Sequence, residues 1–408
     1  MRIFSLIFAL AAMFAAPLAA QISLPGVRLP GVGEVIQPLR ETVDRTAEAA
    51  RREADDLVRA RLRMIDRLVS RNRNIIELDA RGEPARRGEM LVMDAGPELE
   101  KRLARSGFAL ISRERVEGLD FYVARLRTPD GMTLTEAEVE LRGLLPQAEI
   151  SADHLHFQSG TAESPALAIA SAAGSTHGKS APVGMIDGAP GAVVPVAETR
   201  GFAKGAPYPS NHGSAVASLL ASAGANEIRV ADVYGTDKAG GNALAMVKGL
   251  GWLIARGSKV VTISLVGPRN AVLERAIAAA QRKGVVVVAS VGNDGPAAPP
   301  AFPASYDGVV AVTAVDGKRR ALIEAGRALH LDYAAPGADI RGLNAKGKRF
   351  RLRGTSFATP LVAARVAHAL GAGRNWRGAL DREAEDLGRK GPDDVYGRGL
   401  VCGSCRGR

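Results

Sequence analysis

Four polar residues in the second half of the chain form a set that can carry out acyl transfer: Asp187, His212, Asn293 and Ser356. A serine hydroxyl is a weak nucleophile until a base within hydrogen-bond reach takes its proton. Histidine suits that task because it titrates near neutrality. A carboxylate fixes the histidine tautomer and stabilises its charged form. A side-chain amide and a backbone N–H at a helix start supply donors for the developing oxyanion. Each residue also has a plain structural reading: Asp187-Gly188 as a turn, His212-Gly213 as a helix entry, Asn293-Asp294-Gly295 as a turn, and the small residues around Ser356 as a helix cap with Pro360 tolerated in a first turn. All four together, each at an element end, point to chemistry.

The elements that must hold them are legible from Pro182 onward. Short apolar runs ("PVGMI", "IRVADVYG", "KVVTISLV", "VVVVAS", "GVVAVTAV") alternate with helical text ("SAVASLLASA", "NALAMVKGLGWLIARG", "NAVLERAIAAAQRKG"). Continuous apolar strands between amphipathic helices predict an α/β doubly wound parallel sheet covered on both faces. In such sheets ligand sites form at the carboxyl ends of the strands. Asp187 and Asn293 fall there, while His212 and Ser356 open helices.

Composition sets bounds. The chain has 408 residues and 46% hydrophobic content, enough for large cores. Aromatics are 4%, which argues against a base-stacking nucleic-acid surface. Residues 1–150 hold 23 basic and 23 acidic side chains, so the whole net charge of +11 lies in 151–408. A basic second half admits polyanion binding or acidic substrates. Residues 1–20, with Arg2 and an apolar centre from Ile3 to Ala16, predict a signal peptide cut near Ala20. Export follows, periplasmic or extracellular, with no membrane span in the mature form. The two cysteines, Cys402 and Cys405, then fit a local disulfide that reaches into the short tail at 403–408, with pairing to another chain as the rival.

The first half reads in three parts. Residues 21–37 are Pro/Gly-rich and predicted extended. From Arg40 to Arg71 a three-four spacing of apolar residues predicts an amphipathic helix whose face Arg61 interrupts. Residues 80–89 read as a linker closing the segment 21–87. Residues 88–158 show the order β-α-β-β-α-β, a smaller α+β ferredoxin-like unit. Thr135 is the expected cap of its second helix, and His154 and His156 are expected at the surface. Residues 159–181, small and polar and including His177, read as an exposed connector of the kind proteases cut.

The segment 182–402 resembles the subtilisin-like serine endopeptidases, peptidase family S8. "MIDGAP" is similar to that family's Asp motif, "HGSAVASLL" to its His motif and "GTSFATP" to its Ser motif, in the family's own chain order. The resemblance implies a catalytic triad of Asp187, His212 and Ser356, with Asn293 as oxyanion donor. It further implies a substrate-pairing strand at Ser264, Leu265 and Val266 and a pocket wall at Ser290, Val291 and Gly292. Val266 stands where glycine is common, which implies a preference for slender side chains. Gly188 and Ser214 also depart from the usual pattern. The 88–158 unit resembles the family's propeptide, an intramolecular inhibitor removed by self-cleavage in 159–181. Protein or peptide substrates are implied, and no cofactor. No carboxylate cluster has calcium-loop spacing, so a calcium site has no support. The rival class is a non-catalytic binding or scaffold protein of the same fold.

Overall fold

A computed structural model of the chain describes residues 32–94, 96, 98–158, 161–162 and 179–405. The expected signal peptide, His177 and most of the connector lie outside the described residues. Residues Arg52–Arg408 form one compact unit. Before its first strand the chain makes helix α1 (Val32–Arg71). Residues 32–37 are thus helical rather than extended: the helix begins directly after the last Pro-Gly pair, which ends at Gly31, and continues into the Arg-, Glu- and Ala-rich run.

The smaller sheet is built from β1 (Ile76–Leu78), β2 (Pro84–Met93), β3 (Ala109–Arg115), β4 (Tyr122–Arg127) and β5 (Glu149–His154). Helices α2 (Leu99–Leu103) and α3 (Leu134–Leu144) lie between its strands in the chain. β4 sits between β3 and β2, β5 pairs with β2, and every pairing is antiparallel. The predicted order is present, but part of the predicted linker is strand: β2 already begins at Pro84. Proline at a first strand position forfeits no ladder hydrogen bond. The cap of α3 is Thr133, not Thr135. Thr133 forms a capping box with Glu136, whose carboxylate returns to the Thr133 N–H at 2.8 Å.

The larger sheet follows β6 (Phe157–Gln158) and β7 (Thr161–Ala162). Its strands are β8 (Val183–Asp187), β9 (Glu198–Gly201), β10 (Ile228–Asp232), β11 (Val260–Ile263), β13 (Val286–Ser290), β14 (Val310–Val315) and β15 (Tyr333–Pro336). Between and after these run α4 (Asn211–Ser222), α5 (Ala243–Ala255), β12 (Leu265–Val266), α6 (Ala271–Arg282), the hairpin β16 (Ile340–Leu343) and β17 (Arg349–Arg353), α7 (Thr355–Gly371) and α8 (Trp376–Glu383). The sheet order is β15-β14-β13-β11-β8-β10-β9, parallel throughout. Met185 packs toward α4 and α7, and Ile186 packs toward α5 and α6. Both faces are therefore covered, as the unbroken apolar strands require.

The smaller sheet uses strand alternation on both of its faces. Met90 and Val92 join the core over α2 and α3. Leu91, Met93, Phe121 and Val123 join the core that contains α5 and α6. This docking buries His154 and His156, at 2% and 0% exposure, so they are not the surface residues expected from the sequence. The covering helices come from more than 80 residues further along the chain, and alternation within one strand cannot register them. At the other end, Cys402 and Cys405 form a disulfide.

Candidate active site

β8 is where the strand order reverses, with β10 added on one side and β11 on the other. The crevice at such a reversal receives the end of β8, and there Asp187 is fully buried. Its Oδ1 accepts from the Gly188 N–H at 2.7 Å. Both carboxylate oxygens lie close to His212 Nδ1, at 3.0 and 2.9 Å. His212 occupies the first turn of α4, capped by Ser210, whose Oγ accepts from the Gly213 N–H at 2.9 Å. A Cβ at position 188 would meet Ser210 Oγ at 2.4 Å. Gly188 is thus required by the helix cap beside the acid. The other departure, Ser214, accepts from the Gly191 N–H and donates to Ser210 O.

The carboxylate contact orients the ring, so that Nδ1 carries the proton it donates and Nε2 is left as the acceptor. His212 Nε2 is buried and has no partner among the described residues. The ring lies 5.4 Å from that of Phe357, the residue after Ser356. Ser356 is fully buried at the second position of α7, where first-turn N–H groups lack intrahelical acceptors. Its Oγ donates to Ser264 O at 3.0 Å, and Ser264 Oγ donates to Ser356 O at 2.8 Å. Proline 360 explains the second bond. It lies inside α7 rather than in its first turn, so the Ser356 carbonyl loses the N–H it would meet four residues on. Ser264 replaces that donor and ties the substrate-strand candidate to the serine helix.

Asn293 follows β13. Its Oδ1 accepts from the Thr355 N–H at 3.0 Å, and its buried Nδ2 has no partner among the described residues. The amide is therefore held by its oxygen with its donor unspent, next to the helix that carries Ser356. Gly292 has φ +86, and its missing Cβ would stand 3.4 Å from Val266. Val266, Val291 and Gly292 share the lining of a cavity of about 710 Å³ with Asn293. Ser290 is fully buried at the end of β13. The four chemistry-bearing residues and both candidate walls thus meet at one end of the larger sheet. Among the described residues no group of three His, Cys, Asp or Glu side chains could hold a metal. No described helix is long and apolar enough to cross a membrane.

Two features went unrecognised in the sequence. β6 pairs antiparallel with β12, Leu265 opposite Gln158 and Val266 opposite Phe157, and Gln158 Nε2 donates to Asp187 Oδ1 at 3.2 Å. Arg61, which breaks the apolar face of α1, contacts Glu83 at 2.8 Å and Asp294 at 3.2 Å. Burial pushes the Asp294 carboxyl up, and Arg61 opposes that shift. Leu57, Arg61 and Met64 line the same cavity as Asn293. A charged residue in an apolar stripe was the available signal.

The Subtilase family model matches residues 190–399, which include His212, Asn293 and Ser356; Asp187 lies just before the match. The chain is 32% identical over 170 residues to subtilisin DY of Bacillus licheniformis, covering 40% of this chain and 61% of that protein. It is 32% identical over 208 residues to subtilisin Savinase of Lederbergia lenta, covering 47% of this chain and 76% of the other. Among solved structures it is similar to fervidolysin from Fervidobacterium pennivorans, described as a keratinolytic enzyme related to subtilisin. The TM-score is 0.66 at 18% identity, over 81% of this chain and 63% of that one, a likeness of fold.

Proposed function

Because the chain belongs to the subtilase family, we propose that it is an exported serine endopeptidase that uses Ser356, His212 and Asp187 as its triad. The observation that carries this reading is a pair of unspent buried atoms, His212 Nε2 and Asn293 Nδ2, beside the start of the serine helix. A substrate strand laid on β12 brings a backbone N–H to Ser264 O. The Ser356 hydroxyl then turns from that oxygen to His212 Nε2. As Oγ attacks the carbonyl carbon, its proton passes to Nε2, and Asp187 stabilises the imidazolium. The oxyanion is met by Asn293 Nδ2 and the Ser356 N–H at the positive end of α7. His212 returns the proton to the leaving amine, and water hydrolyses the acyl-enzyme by the same steps reversed. Val266 facing Gly292 supports a preference for slender residues before the cut.

The same reading makes the segment before β8 a propeptide that cleaves itself off. β6 lies on β12, and β7 lies on β17, the strand that leads into Ser356. The two pairings bracket the serine, so the self-cleaved bond falls between Gln158 and Thr161. A fluorophosphonate probe tests the nucleophile: labelling of the wild type and none of Ser356→Ala supports the proposal, and equal labelling overturns it. A Ser356→Ala chain, purified alone, stays full length; processing to the wild-type size would reject self-cleavage.

A further inference from the structure

The hairpin β16–β17 carries a charge pattern that neither its folding nor the triad explains. Residues 340–353 hold six cations (Arg341, Lys346, Lys348, Arg349, Arg351 and Arg353) and no carboxylate. Phe350 and Leu352 are buried in the core under the hairpin. Alternation therefore turns Arg349, Arg351 and Arg353 to the opposite face. The register sets Arg341 directly across from Arg351. Like charges in that relation destabilise a two-stranded ribbon. Arg353 is neutralised by a two-point contact with Glu324, at 2.7 and 2.8 Å. Among the described residues no carboxylate reaches Arg341, Arg349 or Arg351. Three guanidinium groups thus stand on one face with no counter-charge, a local cost of the kind found at functional surfaces.

The location says which ligand meets them. β17 ends at Arg353 and the chain turns through Gly354 and Thr355 directly into Ser356. Its outer edge takes the chain's own strand β7, with Arg353 opposite Thr161 and Leu352 opposite Ala162. β7 comes after β6 in the chain and the proposed cut falls between them, so this edge belongs to the part of a bound polypeptide beyond the cut. Residues directly opposite one another in an antiparallel pair show their side chains on the same face. The next place along the edge is opposite Arg351, on the arginine face. In the chain's own sequence the residue after Ala162 is an acid, Glu163.

We propose that the uncompensated arginines of β16–β17, Arg351 and Arg341 foremost, select substrates with Asp or Glu a few residues past the cleaved bond. The inference rests on the endopeptidase reading and adds to it a substrate class: polypeptides acidic on the leaving side. Planar guanidinium groups pair with carboxylates in two-point geometry, which gives position as well as attraction.

The test uses the processed enzyme and fluorogenic peptides with one fixed cleavable bond. Glu, Gln and Lys are placed in turn at each position after the cut, and separately at each position before it. The expected result is a kcat/KM for Glu on the order of 5-fold above Lys at one downstream position, shrinking at high salt. Arg351→Glu reverses that ratio, and Arg341→Gln reduces it. The ratio is taken within each variant, so the amount of folded enzyme cancels. Equal cleavage of Glu and Lys peptides at every downstream position overturns the inference and leaves the endopeptidase reading standing. If no peptide is cut and the fluorophosphonate does not label Ser356, the endopeptidase reading falls and this inference with it.

Discussion

Two histidine–aspartate pairs in this molecule look alike at first contact. His212 meets Asp187 at 2.9 Å, and His154 meets Asp79 at 3.0 Å, both largely buried. Their second nitrogens differ. The Asn270 amide faces His154 Nδ1 at 3.0 Å, so the ring accepts there and donates Nε2–H to Asp79. Burial pushes the Asp79 carboxyl up, yet the His154 contact and the Glu83 and Arg81 N–H groups hold it well below the usual range. Among the described residues His212 has one nitrogen committed and the other open, its ring 5.4 Å from that of Phe357. A fully bonded imidazole is a strut between the smaller sheet and α6. A half-bonded one can take and return a proton. A carboxylate contact alone does not distinguish the two pairs; one nitrogen bonded to a carboxylate and the other unspent does.

The largest expected effect lies at the half-bonded pair. With the smaller sheet's segment removed by an added protease, Ser356→Ala and His212→Ala should each lower kcat by on the order of 10⁶-fold. Asp187→Asn should lower it by on the order of 10⁴-fold, because the ring loses its tautomer. Steady-state peptide hydrolysis measures all three, and a loss under 10-fold in any of them breaks the comparison. Asn293→Ala should cost on the order of 10²–10³-fold, about 3 kcal/mol of transition-state stabilisation, in a domain that still folds although the Thr355 N–H loses its acceptor. Near-normal turnover would remove Asn293 from the site.

The fully bonded pair should behave oppositely. In an unprocessed Ser356→Ala background, His154→Ala takes from the Asp79 carboxylate its Nε2–H donor and leaves a void between β5 and α6, while the Asn270 amide keeps Ser151 Oγ and Ala152 O. It should destabilise the chain by about 1–3 kcal/mol in urea. Turnover of enzyme already processed should be unaffected, since under the proposed self-cleavage His154 leaves with the removed segment. A loss of kcat in the processed form would contradict the strut assignment.

The smallest effect sharpens the contrast with a third histidine. His156 has neither ring nitrogen bonded, and burial pushes its pKa down from 6.5 to about 3. An unfolded chain takes up that proton below about 6.5 and the folded one does not, so this residue makes stability fall with pH between about 6.5 and 3. Burial pushes neighbouring Asp153 the other way, up to about 7, against the Leu244 N–H that it accepts. The folded chain keeps that proton where the unfolded one releases it, so Asp153 makes stability fall as pH rises from 3.8 toward 7. The two slopes oppose each other in the wild type. Urea midpoints at pH 7 and 5 should therefore rise on acidification in His156→Leu and fall in Asp153→Asn. Identical pH slopes in both variants would refute the assignment.

The candidate site was legible because a parallel sheet confines polar residues of this kind to strand ends and helix starts, and Asp187, His212, Asn293 and Ser356 sit there in the sequence. The smaller unit's order was legible for the same local reason. Less so were its details: Thr133 and Thr135 offer equal chemistry, and only the return of Glu136 to the Thr133 N–H chooses between them. The burial of His154 and His156 was not legible, nor was Arg61 bridging Glu83 and Asp294, because each depends on a distant surface.

Apolar periodicity and turn chemistry are properties of neighbouring residues, so the sequence by itself determined the elements, the sheet type and the residue types at the sheet's reactive end. Which polar atoms remain unspent was decided only by tertiary structure. Hydrogen bonds saturate, and the partners of His212, His154 and Asn293 lie tens of residues or more away, while Arg351 has no carboxylate partner among the described residues. Whether a buried donor is a strut or a reagent depends on that remote count.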